Sequence, residues 1–314
     1  MNIRPNTDYA EPAVDVLARN GRSFWLASLF LSRAQQYTAA RLYAFCRWVD
    51  DAVDEAESVT VAQQAITDFR AELHQSVPPQ ACVQNYLELT KTHGLPKWAA
   101  LDLLDGMESD LQNVRVRTLR EFLLYCYQVA GTVGVMMCGV LGVTHPHATE
   151  HAIRLGLAMQ ITNICRDVLE DARMGRVYLP ADVLKHHGLS HEDILGLNPS
   201  PEKITETVRE LLGLADRLYE QGRAGFRYIP WRARFTIHVA AAVYQQIGWR
   251  LRRVHGCNPM HGRTVVPMWE KIGAIVRHSL RAIIGRNYAA QGSPVTYSPS
   301  IDMIPGVTEL RGSA

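Results

Sequence analysis

The stretch LYAFCRWVDDAVDE, residues 42–55, joins an apolar helical pattern to a cluster of carboxylates. At 3.6 residues per turn, one stripe of this helix is apolar, and the neighbouring stripe carries Tyr43, Arg47, Asp50 and Asp54. The carboxylates of Asp50 and Asp54 stack one turn apart, where like charges repel each other. Oxygen ligands at this spacing suit Mg²⁺, which binds one or two carboxylates together with substrate phosphates. For a single such pair, a solvated acidic helix end is the simpler interpretation.

The chain repeats this pattern at residues 160–171, QITNICRDVLED. One helical face is polar and has an arginine beside it: Gln160, Asn163, Asp167 and Asp171, flanked by Arg166. If the two helices face each other, two acidic clusters lie across a cavity. That arrangement suits several Mg²⁺ ions that clamp a diphosphate and stabilise it as a leaving group. The repeat therefore favours a metal-dependent diphosphate site, and the geometry does not require hydrolysis.

Helical periodicity runs through most of the chain and period-two alternation does not persist, so the predicted fold class is all-α. Gly and Pro turns separate the predicted helices, which begin near residue 14 and then span 33–57, 59–76, 82–93, 97–111, 118–143, 204–222, 237–254 and 266–284. The helix over 118–143 opens with a capping box, TLRE. Its glycines each cost up to about 1 kcal/mol relative to Ala, so a close neighbour must offset them. Gly131 and Gly134 are the better candidates for a pocket, whereas helix packing explains Gly139 and Gly142 at least as well.

One helical domain, residues 13–286, is predicted to hold most of the 314 residues, because an all-helical enzyme of this size can build a single large core. Residues 1–12 are polar and contain two prolines, which predicts a mobile N-terminal arm. Residues 287–314 are rich in Ser, Pro and Gly, which predicts a disordered tail.

The overall composition is that of an ordinary globular protein, with 47% hydrophobic and 20% charged residues. A net charge of +2 is too small to indicate nucleic-acid binding, and no DNA- or RNA-binding motif is present. The six cysteines form no CxxC pair, which is typical of reduced thiols in a cytosolic protein. The N-terminus lacks an apolar signal region, and the longest apolar run, 133–143, is shorter than the roughly 18 residues that span a membrane. We expect a cytoplasmic protein, soluble or peripheral on the inner face of a membrane.

Four motifs occur in a distinctive order and at distinctive separations: RSFWLAS (22–28), YAFCRWVDDAVDE (43–55), YCYQVAGTVG (125–134) and NICRDVLEDARMGRVYLP (163–180). Together they resemble the trans-isoprenyl diphosphate head-to-head synthases, the squalene/phytoene synthase family. Within that family the chain resembles the bacterial phytoene synthases most. The resemblance runs from about Arg22 to about Ile284.

The resemblance implies a single-domain helical bundle around a central apolar cavity, with the acidic clusters at its mouth. It implies that the catalytic residues are Asp50, Asp54, Tyr125, Asp167 and Asp171, and that the metal ligands are Asp50, Asp54, Asn163, Asp167 and Asp171. The substrate-binding residues that it implies are Ser23, Phe24, Tyr43, Arg47, Val129, Gly134, Gln160, Asn163, Arg166, Arg176 and Tyr244. The chain departs from the family pattern at Gly21, where many relatives have a small hydroxyl residue. At this position the backbone N–H is the donor left for a diphosphate contact. Taken alone, Tyr125 is more often a core tyrosine with a satisfied hydroxyl.

The activity that the resemblance implies is head-to-head condensation of two geranylgeranyl diphosphates, through a cyclopropyl diphosphate, to phytoene in carotenoid biosynthesis. It implies Mg²⁺, with Mn²⁺ as a substitute, no nicotinamide, and downstream carotenoid enzymes as partners. The alternatives are dehydrosqualene or squalene synthesis from farnesyl diphosphate, arrest at presqualene diphosphate, and a non-catalytic helical assembly factor. An assembly factor would have little reason to keep repelling carboxylates in both clusters.

Two further segments carry cations. ARMGRVYLP, residues 172–180, leaves the helix at Gly175 and predicts a flap whose Arg173 and Arg176 close over the diphosphate; a surface loop that neutralises nearby acids is the alternative. GRAGFRYIPWRARF, residues 222–235, combines arginines with aromatics and has no acid. This composition predicts contact with an anionic membrane surface; the alternative interpretation is a solvated loop with aromatic anchors.

The histidines and the start of the first acidic helix complete the sequence predictions. The histidines at 145, 147, 151, 186, 187 and 191 show no ligand spacing with Cys, so no zinc-type site is predicted, and no dinucleotide fingerprint is present. Ala39 and Ala40 lie roughly 15 Å along the helix from Asp50. If they form the pocket floor, their small side chains favour the twenty-carbon substrate, and Ala40→Trp should depress its turnover more than that of the fifteen-carbon one. Packing against another helix explains the alanines equally well.

Overall fold

The computed structural model describes residues 13–112 and 114–274, and within these ranges the chain is all-α, as predicted. The α-helices in chain order are α1 (Ala13–Asn20), α2 (Arg22–Ser28), α3 (Arg33–Asp54), α4 (Val59–Leu73), α5 (Ala81–His93), α6 (Lys97–Ser109), α7 (Leu119–Cys126), α8 (Thr132–Val140), α9 (Pro146–Arg173), α10 (Ala181–His186), α11 (His191–Leu195), α12 (Pro201–Ala224) and α13 (Trp231–His255). The predicted arm, residues 1–12, and tail, residues 287–314, lie outside the described residues, as does the predicted helix beyond residue 274.

Local chemistry fixes where the helices begin and end. The Ser32 hydroxyl caps α3 by accepting from the backbone N–H of Gln35 at 3.3 Å. Pro146 opens α9, where its missing N–H costs nothing. Thr118 caps α7 as predicted, accepting from Glu121 N–H at 3.2 Å. These caps satisfy backbone donors that have no partner within the helix.

The predicted helix over 118–143 is three segments rather than one. α7 and α8 are joined by a π-helical turn, Tyr127–Gly131, a rare element that is frequent at functional sites. Within the described residues, the stretch Leu119–Val140 is long and apolar enough to cross a membrane by length and composition, and 44% of its most apolar window is buried inside the protein. Part of its apolar surface faces an internal cavity, to which Val129 and Val133 contribute side chains. The cavity therefore accounts for much of the apolar character of this stretch.

α9 lies at the centre of the bundle and packs against α8, α12, α13 and the π-helical turn. Two glycines make the closest of these contacts possible. A Cβ on Gly156 would lie 2.4 Å from the Ala130 carbonyl oxygen, and one on Gly134 would lie 2.5 Å from that of Ala152. Gly134 also lines the cavity, whereas Gly131 packs among side chains of the core. Of the two glycines predicted to serve the pocket, one does so directly.

The loop after α9 is tied to the loop before α7 by an isolated parallel β-bridge between Arg115 and Val177. The Val177 N–H donates to the Val114 carbonyl at 3.0 Å, and the Arg115 guanidinium donates to the Gly175 carbonyl at 2.7 Å. We name residues 174–180 the Arg176 loop. Backbone hydrogen bonds hold this loop against residues 114–116, and its closure as a flap stays a prediction.

Candidate active site

A cavity of about 330 Å³ runs through the bundle between α3, α8, α9 and α13. It follows α9 from Ala148 to Asn163, fifteen residues or about 22 Å of helix. Its walls are mostly apolar, and polar groups gather at the end where Asn163 lies. The predicted substrate-binding residues that line it are Phe24, Tyr43, Val129, Gly134, Gln160, Asn163 and Tyr244. The side chain of Ser23, also predicted, lies outside the described part of the structure.

The first acidic cluster is organised by Arg47 on α3. Its guanidinium lies 3.1 Å from Asp50 and also pairs with Asp51, one turn on. The Asp51 carboxylate is buried, with a side-chain exposure of 4%. Sequence analysis did not single out Asp51, although it neighbours Asp50, because it points to a different face of the helix. Arg47 is thus positioned from two sides at the polar end of the cavity.

The second acidic cluster lies near the C-terminal end of α9. Arg166 binds both oxygens of Asp167, its Nε lying 2.7 Å from Oδ1. Arg263, in the segment after α13, reaches the same cluster: its Nε is 3.4 Å from Asp167 and its Nη1 is 3.3 Å from Glu170. Arg263 and Glu170 were missed from the sequence. Only the tertiary fold brings Arg263 to α9, so no local pattern could have identified it.

Arg176 connects the two clusters. Its backbone N–H donates to the Asp171 carbonyl at 2.8 Å, and its Nη2 lies 3.5 Å from Asp54 at the end of α3. Arg176 therefore contacts the end of each acidic helix, through its backbone at Asp171 and through its side chain at Asp54. Arg173, the other predicted flap arginine, is exposed.

Three carboxyl groups in this region have raised pKa values. Burial, followed by the neighbouring charge of Asp54, raises the pKa of Asp50 to about 6. Burial, followed by Asp167, raises the pKa of Asp171 to about 7. Burial likewise raises the pKa of Asp110 to about 6, although two tyrosine hydroxyls oppose the shift. Burial is the largest cause of all three shifts, and a cation bound beside these groups would favour their ionised forms.

The donors at the mouth of the cavity fit a hard divalent cation. The buried Oδ1 of Asn163 has no hydrogen-bond partner, which is costly for an amide oxygen unless a ligand completes it. Asp50, Asp54 and Asp171 supply carboxylate oxygens nearby, the ligand type that Mg²⁺ prefers. Asp167 differs, since Arg166 engages both of its oxygens in this structure.

An aromatic wall stands beside this polar end. The ring centroid of Phe24 lies 5.2 Å from that of Tyr244 and 6.3 Å from that of Tyr43. Burial raises the pKa of Tyr244 to about 12, so its phenol is neutral at physiological pH. Aromatic faces stabilise cations within about 6 Å, and they do so more strongly where water is excluded. The wall can therefore stabilise a carbocation without trapping it.

Tyr125, expected to face the reacting carbons, is not among the residues that line the cavity. Its hydroxyl donates to Asp110 at 3.0 Å, and its ring stacks on Tyr178 at a centroid separation of 4.9 Å. Sequence analysis did not identify Asp110. It follows α6 in the polar run ESDLQ, where no residue at helical spacing marks it as part of a site.

At the far end of the cavity, Ala39 is a lining residue, whereas Ala40 is fully buried and is not. The basic and aromatic segment begins nearby. Phe226 is buried and lines the cavity, while Trp231 is 73% exposed, with the Arg232 guanidinium 5.2 Å from its ring. The segment is thus partly core and partly an exposed cationic surface.

Two of the histidines meet a carboxylate that the sequence did not reveal. His186 and His187 on α10 meet Glu210 on α12, and one ligand atom from each lies within 4.8 Å of the others. His187 Nε2 lies 2.8 Å from Glu210. The carboxylate comes from a distant part of the sequence, which is why spacing did not reveal the group. None of the three residues lines the cavity.

Comparisons with known proteins agree with this geometry. The model of the squalene/phytoene synthase family matches residues 17–270. The 15-cis-phytoene synthase of Paracoccus sp. (strain N81106 / MBIC 01143) is 34% identical over 260 residues, covering 79% of this chain and 83% of the relative. That of Pantoea ananas is 29% identical over 301 residues, covering 92% and 97%.

Among solved structures, a dehydrosqualene synthase in complex with ligand superposes with a TM-score of 0.78 at 25% identity, covering 87% of this chain and 95% of that one. The squalene synthase HpnC from Alicyclobacillus acidocaldarius gives a TM-score of 0.69 at 24% identity, covering 79% and 95%. The second likeness concerns the fold alone.

Proposed function

This chain belongs to the squalene/phytoene synthase family, and we propose that it joins two geranylgeranyl diphosphates head to head to form phytoene. It is a prenyltransferase. The observation that carries the proposal is a long apolar cavity whose lining on the two acidic helices stops at Cys46 and Asn163, one helical turn before Asp50 and Asp167. The acids and arginines of the two clusters do not line the cavity itself and lie beyond this end. Such a cavity suits a substrate with a hydrocarbon tail and a diphosphate head.

In the first half-reaction, the C1–O bond of one substrate breaks and its diphosphate departs as an allylic cation forms. The double bond of the second substrate attacks that cation, and loss of one proton closes a cyclopropane, giving a cyclopropyl diphosphate. Arg47, Arg166 and Arg176 bind the diphosphate through guanidinium hydrogen bonds, in the bound substrate as well as during its departure. Asp50, Asp54, Asn163 and Asp171 would hold a divalent cation, with Asp167 joining them once Arg166 turns to the diphosphate, and the cation would supply charge neutralisation to the leaving group. We propose Mg²⁺ for this role, with Mn²⁺ as a substitute.

In the second half-reaction, the remaining diphosphate leaves, the cyclopropyl carbinyl cation rearranges, and loss of a proton gives the central conjugated triene. No reductant is consumed, so no nicotinamide is required. The aromatic wall of Phe24, Tyr43 and Tyr244 stabilises the cations while the apolar cavity excludes water that would quench them. The protein thus orients the two substrates, stabilises the charges that develop and excludes water from the cavity.

Product analysis with each prenyl diphosphate, with and without a reduced nicotinamide, tests this proposal. We expect phytoene from geranylgeranyl diphosphate and Mg²⁺, independent of nicotinamide. Dehydrosqualene, squalene or presqualene diphosphate formed preferentially from farnesyl diphosphate would replace the substrate assignment. A folded protein that turns over neither substrate would favour an assembly factor instead.

We further propose that the exposed part of the 222–235 segment contacts an anionic membrane surface, where the cytoplasmic enzyme can pass its water-insoluble product to downstream carotenoid enzymes. Trp231 is exposed beside Arg232, and Arg227 stands over Tyr228 at 5.0 Å, a pairing of cations and aromatics suited to a lipid interface. Trp231→Ser should reduce co-sedimentation with vesicles containing phosphatidylglycerol. The matched control is Trp269→Ser, since Trp269 is equally exposed, at 71%, outside this segment. Equal loss in both variants would contradict a specific membrane face.

A further inference from the structure

Asp110 is a partly buried carboxylate whose two oxygens each accept a hydrogen bond from a tyrosine. The Tyr125 hydroxyl donates to Oδ2 at 3.0 Å, and the Tyr178 hydroxyl donates to Oδ1 at 2.8 Å. The two rings stack against each other, with an angle of 26° between their planes. Asp110 therefore ties three separate segments together: the end of α6, the end of α7 and the Arg176 loop.

The Arg176 loop is the segment that this tie holds in place. Tyr178 lies two residues after Arg176, so a fixed Tyr178 restricts where the guanidinium can reach. The bridge to residues 114–116 fixes the backbone of the same loop. Neither contact binds the guanidinium itself, which lies 3.5 Å from Asp54. These contacts fix the backbone around Arg176 without using its guanidinium N–H groups, which can therefore donate to a ligand.

The surroundings of Asp110 make a purely structural role unsatisfactory. Its charge is repelled by Asp54 and attracted by Arg176. Placing a carboxylate among other acids costs free energy that a neutral amide or an apolar contact would avoid. A negative charge behind Arg176 does, however, hold a guanidinium at this point through the Coulomb attraction between them.

We propose that Asp110 is a positioning residue that, through Tyr178, holds Arg176 between the two acidic clusters for binding to diphosphate. The inference rests on the proposed function only in so far as the ligand is a diphosphate. Asp110 itself does not touch the substrate, so its effect must pass through Arg176.

A double-mutant cycle tests this route. Asp110→Asn should raise KM for the prenyl diphosphate about tenfold with a smaller change in kcat, because a cation that binds the ground and transition states alike is displaced. In an Arg176→Ala background the same change should alter KM by less than about twofold, since the residue it acts through is gone. Tyr178→Phe should raise KM in the same direction. An Asp110→Asn effect of equal size in both backgrounds would overturn the proposal.

Asp102→Asn is the matched control. Asp102 lies on α6, the helix that Asp110 follows, and accepts a hydrogen bond from the Tyr127 hydroxyl at 2.5 Å. Structural loss of a partly buried tyrosine–aspartate hydrogen bond should lower the melting temperature in both variants, whereas only Asp110→Asn should raise KM. Parallel effects of both variants on KM would reduce Asp110 to a packing residue.

Inorganic pyrophosphate with Mg²⁺ separates this inference from the proposed function. If no prenyl diphosphate is turned over, thermal stabilisation by these two ions still reports diphosphate binding. We expect stabilisation of the parent and the Asp102→Asn variant, and clearly less of Asp110→Asn. Equal stabilisation of all three would overturn the positioning role, whatever the reaction proves to be.

Discussion

Replacing Asp171 with Asn should stabilise the metal-free protein at pH 8. The folded-state pKa of about 7 lies about three pH units above the ordinary value of 3.8, because burial and then the charge of Asp167 disfavour the ionised form. At about 1.4 kcal/mol per unit, the upper bound of this destabilisation is about 4 kcal/mol. Asp171 is partly exposed, so solvent screening reduces the expected gain to about 1–2 kcal/mol.

The sign of the pH dependence follows from the raised pKa. Below about pH 4 the carboxyl is protonated in both the folded and the unfolded chain, and Asp171 costs nothing. Between about pH 4 and pH 7 the unfolded chain ionises while the folded one resists, so the free energy of unfolding falls as pH rises. Above pH 7 the loss is complete. The variant, which lacks the carboxyl, should gain most at pH 8 and progressively less towards pH 4.

Thermal unfolding after EDTA treatment, at pH 5, 6.5 and 8, measures this effect. A gain of 1–2 kcal/mol corresponds to a rise in melting temperature of about 2–4 °C for a chain of this size. Asp68→Asn is the control, because Asp68 is exposed on α4, away from the acidic clusters. A variant less stable than the parent at pH 8, or one with the same gain at every pH, would refute the argument that burial and then the charge of Asp167 disfavour ionised Asp171 in the folded protein.

Four further outcomes are expected. Asp50→Asn or Asp167→Asn should abolish turnover in a folded protein, as product formation and thermal unfolding will test; unchanged activity would remove that residue from the metal site. Activity should require Mg²⁺ or Mn²⁺ and survive zinc-selective chelation, because all of the proposed ligand atoms are oxygens. Loss of activity on zinc-selective chelation would contradict this prediction. Arg176→Ala should reduce thermal stabilisation by a substrate analogue with Mg²⁺, and equal stabilisation would make Arg176 a bystander. Ala39→Trp should depress turnover of geranylgeranyl diphosphate more than that of farnesyl diphosphate, because Ala39 lines the cavity. Ala40→Trp should instead lower stability through overpacking, because Ala40 is fully buried. An equal proportional loss of activity with both substrates in Ala39→Trp would show that Ala39 is not the floor of the pocket.

The two acidic helices were predictable because a helix fixes which side chains share a face. Residues three or four apart lie together whatever the rest of the chain does, so Asp50 beside Arg47 and Asn163 beside Gln160 follow from spacing alone. The helical class followed for the same reason. Tyr43 and Tyr244 were expected to bind substrate from family resemblance, whereas the wall that they form with Phe24 is a contact between distant segments, which spacing along the chain does not reveal.

The residues that sequence analysis missed come from contacts between distant segments. Asp110 lies in a short polar run, and its importance rests on two tyrosines 15 and 68 residues away. Arg263 lies in an irregular segment and reaches α9 only through the fold. The Arg176 loop was predicted to be a flap because its sequence contains Gly175, whereas the backbone bonds to residues 114–116 are a tertiary property. Periodicity describes one element at a time, so none of these could be derived from it.

The pairing of acids with arginines explains why such a site would take a cation and a diphosphate together. In the structure, Arg47 neutralises Asp50, Arg166 neutralises Asp167, and Arg176 faces Asp54. A divalent cation alone would compete with these arginines for the carboxylates, and a diphosphate alone would compete with the carboxylates for the arginines. When both arrive, each carboxylate gains a cation as each arginine gains an anion, and the exchange leaves no buried charge unpaired. The pairing of acids with arginines thus favours binding of the metal and the diphosphate together over binding of either ion alone, which is the selectivity that a diphosphate-releasing enzyme requires.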